Sequence, residues 1–509
     1  MAIAGSDANS RSVRGPAALA QRLVGAGVRF LSDRSDAAIV ASVLAFFVAA
    51  WMLFWEISTA SVDVHYDASE AIVWAQHFAF GYKHPPLTGW LFALWFWIFP
   101  RQQWAMNMLT VATCVVALAV SWRLLRDHLD RHRALVGLFA LMLIPLYDVK
   151  AEVLNANTVM IPVWAAALLF YLRARRGLGP IDAFLAGAFA SLAMLGKYWA
   201  VFLFAGMAVA SLAGPGVRRF WRSPAPYLMA AGAAIVLAPH VWWMLIQSGA
   251  SIEFAESVVN RMPFGAALLR SANYFLGSVA YVIGPLIFFA ALRPRRAALT
   301  DTVWPTEELR RQAWFLLLVP LVLPALANLV IPYRLTAAWT SPNWALLPIV
   351  LYGSSALLID ERAAARAGLA TLAVTLAILI ASPVVAIVRL THGPDPYRAH
   401  FRQVAEIGAS LAGRPVAWIW GSQGIVSGLP FYLPEARPLR AGPLSAEGRA
   451  AIAAHGLLIV CTSSDEGCRQ TAESFARTGA ASKDVTLTRS FLGFSSPPVS
   501  FEVTAVPPG

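Results

Sequence analysis

The chain has 509 residues, 58% of them apolar and only 13% charged, with a formal net charge of +12. That balance excludes an ordinary water-soluble globular protein and fits a polytopic helical membrane protein, because long uncharged runs recur along most of the length. The excess of cations does not point to nucleic acid: the arginines sit in short clusters between apolar runs, as membrane topology requires.

Residues 1–36 carry Arg11, Arg14, Arg22, Arg29 and Arg34 and no signal-peptide cleavage pattern, and they read as a cytoplasmic segment. A helix needs about 20 apolar residues to cross a bilayer. Candidate spans fall near 37–55, 103–123, 134–149, 157–173, 181–197, 199–214, 225–246, 273–292, 312–331, 340–359 and 367–388. The stretch 86–99 is uncharged and Trp-rich but only 14 residues long, so it is expected to lie in the interface. With the N-terminus inside, this division puts 22 arginines on the inner side. Only Lys83, Arg101, Lys150, Lys197, Arg261, Arg270 and Arg334 remain in the outer loops before the tail. A crossing at 86–99 would reverse every later cluster.

The expected architecture is therefore all-α and polytopic over residues 37–390, with about eleven spans and a first outer loop at 56–102. Residues 391–509 lie outside. There the runs "VAWIWG", "GLLIVCTS" and "VSFEVTAV", with the helical "DEGCRQTAESFARTG", predict a small α/β domain. Cys461 and Cys468 can form one disulfide if that domain meets an oxidising compartment, while Cys114 lies in an apolar run and packs. No internal repeat is evident, which counts against an inverted-repeat transporter.

The outer side concentrates ionisable groups. Asp63, His65, Asp67 and Glu70 follow the first span, and Asp67 and Glu70 share a helical face at i, i+3. Lys83, His84 and the Pro85–Pro86 pair come next. Asp148, Lys150, Glu152, Asn155 and Asn157 crowd the second loop; Lys197 and Tyr198, His240, and Tyr333 with Arg334 sit at later outer ends. A wetted loop or a snorkelling lysine would explain each alone. Held together at a bilayer surface, such groups are more often functional. Cations, an aromatic belt and a carboxylate suit a lipid-borne phosphate and a proton transfer. No P-loop, Rossmann glycine pattern, Asp-x-Asp, HExxH or Cys/His cluster occurs, so neither a nucleotide cofactor nor a metal site is readable.

The acidic "DASE", then "VWAQHFAFGY" and "KHPPL", resemble the first outer loop of the C-type glycosyltransferases that use polyprenyl-phosphate sugars. The likeness is to the bacterial branch related to protein O-mannosyltransferases and the aminoarabinose transferase of lipid A. "NANTVMIPVW", "LAMLGKYWAVFL", "RSPAPYL" with "LAPHVWW", and "AAWTSPNWALLPIVL" follow in the family's order, over roughly residues 37 to 435. Ala68 stands where the family usually has Glu, and Asn157 where some relatives carry Asp.

The resemblance implies an inverting, cofactor-free transfer from a polyprenyl-phosphate donor to an acceptor hydroxyl on the outer face of a bacterial inner membrane. It makes Asp67 the base, with Asp63 as the other candidate, and gives Glu70 a role in placing the acceptor or a cation. Lys83, His84, Lys197 and Arg334 are candidates for the donor phosphate. Asn155, Asn157, Tyr198 and His240 would support acceptor or structure. The implied partners are the lipid-linked donor, membrane lipid and an envelope acceptor: glycolipid, polysaccharide or protein. The rival classes are a lipid-linked sugar flippase, which should carry its charges at mid-membrane, and a non-catalytic membrane scaffold.

Overall fold

The computed structural model describes residues 16–76, 78, 80–81, 84–177, 179–214, 216–246, 259, 262–439, 442–476 and 479–509. Helices α1 (Pro16–Ser32), α2 (Asp36–Ser58), α3 (Tyr66–Ala75), α4 (Leu87–Ile98), α5 (Gln103–His128), α6 (Arg131–Leu141), α7 (Ala156–Gly177), α8 (Pro180–Gly196) and α9 (Val201–Ser211) form the first part. A short α10 (Val217–Trp221) leads to α11 (Ala225–Ile246), α12 (Phe264–Tyr281), α13 (Ile283–Ala291), α14 (Arg296–Val303) and α15 (Glu308–Val330). The helical part ends with α16 (Leu347–Tyr352), α17 (Glu361–Ile380) and α18 (Ser382–His392).

Among the described residues six helices are long and apolar enough to cross a membrane alone: α2, α5, α7, α11, α15 and α17. The pair α12–α13, bent by 57°, makes a seventh if it counts as one span. The eleven predicted runs are thus not eleven long helices. Run 134–149 is helical only to Leu141 and then turns through 142–155. Run 340–359 holds Pro342, Pro348 and Gly353, and it folds as a 3-10 segment, Ala337–Leu346, followed by the short α16. Proline removes an N–H and clashes with the preceding turn, so an apolar run of crossing length need not be one helix. Both segments are buried among their neighbours. At 12 residues, α4 is too short to cross, and it exposes Leu94, Trp97 and Ile98.

Residues after α18 build a five-stranded sheet in the order β2-β1-β3-β7-β4. Its strands are β1 (Trp418–Gly421), β2 (Arg437–Pro438), β3 (Leu457–Thr462), β4 (Ala481–Leu487) and β7 (Val499–Val506); β5 (Ser490–Phe491) and β6 (Phe494–Ser495) form a separate hairpin. The β1 strand pairs in parallel with β2 and β3, whereas β7 runs antiparallel to β3 and β4. Every β3 residue is buried because helices cover both faces. Leu458 and Val460 pack with Phe401 and Val404 of α19 (Phe401–Ala412). Leu457, Ile459 and Cys461 pack on the other face with Ile452 of α21 (Ala446–His455) and Cys468 of α22 (Glu466–Ala476). Cys461 and Cys468 are disulfide-bonded, and Cys114 is free and buried. A one-turn helix, α20 (Gln423–Val426), follows β1 after Ser422, and its Gln423 and Val426 line a cavity together with Glu70 and Trp74 of α3.

A candidate active site on the loops beside the sheet domain

Helix α3 is the platform. His65 is its N-cap, with Nδ1 accepting the Asp67 backbone N–H at 3.2 Å, which places Asp67 in the first turn. A carboxylate there is favoured by the helix dipole. Its Oδ2 accepts from Asn155 Nδ2 at 3.1 Å; among the described residues its Oδ1 takes no hydrogen bond, and a third of the side chain is exposed. Asp67 is therefore held at one oxygen and open at the other.

Asn155 precedes α7, and its Oδ1 accepts the Asn157 backbone N–H at 2.9 Å, as a helix-capping amide does. The Asn157 Oδ1 accepts from Lys197 Nζ at 2.9 Å. Three segments distant in sequence thus form one chain of contacts, Asp67–Asn155–Asn157–Lys197. Lys197 lies in extended conformation between α8 and the turn Tyr198–Ala200, so its side chain leaves the helical stack towards the loops. The ammonium sits 3.8 Å from the centroid of the Trp339 ring, itself edge-on to Trp199. One of its three N–H groups is engaged by Asn157; cation–π contact steadies the charge without consuming donors. Burial pushes the Lys197 ammonium down to about 7, with Asp67 opposing and the exposed Arg334 adding to the fall.

Tyr198 is placed next to this group, its hydroxyl 3.0 Å from His240 Nε2. His240 Nδ1 lies 2.6 Å from the Phe80 carbonyl, so Nδ1 carries the proton and Nε2 accepts from the tyrosine. A Cβ on Gly81 would come within 2.6 Å of the Trp243 ring, and only glycine lets that strand of loop lie so close. His84 packs edge-on against Trp74. Glu70 lies one turn beyond Asp67 and lines a cavity facing the sheet domain. Lys83 lies outside the described residues.

Asp63 is not brought to this group. It is 1% exposed, and both oxygens are occupied: Oδ1 by Arg489 at 2.8 Å and Oδ2 by the Arg402 backbone N–H at 2.8 Å. Its own N–H donates to the Arg398 carbonyl, and the Arg398 guanidinium donates back to the Asp63 carbonyl, each at 2.8 Å. Glu152 is a second buried node, bridging Arg389 at 2.6 Å and Arg398 at 2.5 Å. Burial pushes the Glu152 carboxyl up, but the two guanidiniums outweigh it and hold it below its ordinary value. His65 lies within this field: burial first, then the Arg398 charge, pushes its imidazole down to about 4. Sequence reasoning missed these arginine partners, because nothing local marks Arg398 or Arg489 as facing a residue more than 300 positions earlier. Among the described residues no three His, Cys, Asp or Glu side chains are grouped to hold a metal ion.

Residues 83–243 match the family described as dolichyl-phosphate-mannose-protein mannosyltransferase. The lipid A galacturonosyltransferase RgtD of Rhizobium johnstonii is 24% identical over 302 residues, which is 57% of this chain; the match spans about 59% of that relative's length. The crystal structure of ArnT from Cupriavidus metallidurans bound to undecaprenyl phosphate superposes with a TM-score of 0.61 at 15% identity, covering 92% of this chain and 98% of that one. The apo form of the same protein gives 0.60 at 16% identity, covering 91% and 98%. The chain shares the fold of these structures.

Proposed function

We propose that this chain, which has the ArnT fold and is related to the C-type glycosyltransferases, moves a sugar from a polyprenyl-phosphate donor to a hydroxyl of an envelope glycolipid. The observation that carries this reading is the chain of contacts from Asp67 through Asn155 and Asn157 to Lys197. It holds an open carboxylate and a cation at a fixed separation, which is what a displacement at an anomeric carbon needs.

In the proposed step the acceptor hydroxyl oxygen attacks the anomeric carbon from the face opposite the phosphate. The carbon–oxygen bond to phosphate breaks, and its electron pair leaves on the polyprenyl phosphate. The hydroxyl proton passes to the open oxygen of Asp67 as the new bond forms. Lys197 and Arg334 offset the negative charge gathering on the leaving phosphate. Lys83 and His84 remain candidates for the same phosphate. The Tyr198–His240 pair braces the loop at Phe80. Asp63, with both oxygens held, serves as an anchor for the sheet domain rather than as the base.

The ligand named with ArnT, undecaprenyl phosphate, and the lipid A named for RgtD support the lipid carrier and a lipid A-type acceptor. We place the protein in a bacterial inner membrane with about eleven spans, its N-terminus cytoplasmic and its sheet domain periplasmic; arginine asymmetry supports this orientation. The test is transfer of labelled sugar from an undecaprenyl-phosphate-linked donor to purified lipid A by the purified protein. Absence of transfer across the common donor sugars, with undecaprenyl phosphate failing to bind, overturns the reading.

A further inference from the structure

Between α3 and the sheet domain lies a cavity of about 440 Å³, a size typical of small-molecule sites. Glu70 and Trp74 line it from α3, one and two turns beyond Asp67. Trp420, Gln423 and Ser427 line it from β1 and the helical turn that follows. The two walls are stitched together. Ser69 Oγ donates to the Gly428 carbonyl at 2.9 Å and accepts the Phe431 N–H at 3.0 Å, Gln76 Nε2 donates to the Pro434 carbonyl at 2.7 Å, and the Val64 N–H donates to the Tyr432 hydroxyl at 3.0 Å. The far wall is fixed as well: Gly421 has φ +143°, and a Cβ there would lie 2.0 Å from the Val460 carbonyl oxygen.

We infer that this cleft seats the sugar ring bearing the attacking hydroxyl, so that the sheet domain supplies half of the acceptor site. The inference rests on the transferase reading above and adds the place where the acceptor sugar sits. A pyranose has apolar C–H faces and a rim of hydroxyls. Indole rings cover such faces, while a carboxylate, an amide and a hydroxyl match the rim. Position gives the same answer. Asp67 and Glu70 are one turn apart on α3 and Glu70 lines the cleft, so a ring seated there lies beside the proposed base. Because the walls are already bonded to each other, the site exists before the acceptor binds, and little ordering is needed on binding.

The full-length protein in nanodiscs is titrated with purified lipid A and, separately, with undecaprenyl phosphate. Gln423 is exposed, so Gln423→Ala keeps the wall folded even if Trp420→Ala does not. Each folded variant should bind lipid A at least tenfold more weakly than the unaltered chain, with undecaprenyl phosphate binding within twofold. A soluble glucosamine disaccharide should compete with lipid A on the unaltered chain and lose that competition in Gln423→Ala. Unchanged lipid A binding in Gln423→Ala and in folded Trp420→Ala overturns the cleft assignment, as does absence of lipid A binding to an unaltered chain that still binds undecaprenyl phosphate. Failure of the unaltered chain to bind undecaprenyl phosphate is a different result, and it overturns the transferase reading itself.

Discussion

Asp67 and Lys197 divide the chemistry at the residue scale, and their variants should fail differently. Asp67→Asn keeps the shape and the contact with Asn155 but loses the proton affinity. Turnover should fall by about 10² to 10⁴-fold, the usual contribution of general acid–base catalysis, with little change in donor affinity. Lys197→Ala removes the cation at the phosphate and should weaken donor binding, lowering turnover too if the contact tightens as charge grows. Sugar transfer and undecaprenyl phosphate binding, measured separately on each variant, check both. His65 adds a pH dependence. Its ordinary value is 6.5, and in the fold it is pushed down to about 4, by burial and then by Arg398, with Asp67 and Glu152 opposing. Between these values the unfolded chain binds more protons, so this contribution to stability is full above about pH 6.5 and is lost as pH falls to 4. His65→Asn caps α3 without titrating. Its melting temperature should fall less than the unaltered protein's between pH 7 and 4.5; parallel curves would contradict this.

At the scale of elements, the join between membrane part and sheet domain rests on two buried carboxylates. Arg489→Ala strips Asp63 of its charge partner inside a dry site, where breaking a buried pair costs about 3–5 kcal/mol. The sheet domain should loosen and become sensitive to limited proteolysis. The double variant Asp63→Asn/Arg489→Ala should be more resistant than Arg489→Ala alone, since no unpaired charge is left. Equal sensitivity would mean that the pair does not hold the domain. The same contrast separates anchor from base, because Asp63→Asn should lose stability along with any activity, whereas Asp67→Asn should keep its melting temperature. Local patterns made much of this legible: i, i+3 spacing put Asp67 and Glu70 on one helix, and alternation marked β1, β3 and β7. The strand β4 escaped because "ASKDVTL" is mostly exposed at a sheet edge and alternates only at its end, in Val485 and Leu487. Apolar runs alone did not reveal which of them fold as single long helices, since burial inside a bundle and burial in lipid select the same residues.

For the whole molecule, orientation and site location are one question. Asp63 and Glu152 bond the sheet domain to the segment that begins α3 and the loop that leads to α7, and those elements carry Asp67 and Asn155. Whichever side holds the sheet domain must hold the site. A label on the domain therefore locates the chemistry, even though the number of crossings is not fixed by helix length. Ala450 lies exposed on α21, and Arg362 lies exposed at the start of α17 within an arginine cluster assigned to the cytoplasm. The native cysteines do not interfere: Cys461 and Cys468 are bridged, and Cys114 is buried. In spheroplasts, Ala450→Cys should react with a membrane-impermeant maleimide, and Arg362→Cys only after lysis. The reverse pattern would put Asp67 and Lys197 in the cytoplasm, away from a periplasmic acceptor, and the arginine asymmetry would then run against the positive-inside rule. Reaction of both in intact spheroplasts would break the link between the arginine clusters and the inner face, and would leave orientation resting on the sheet domain alone.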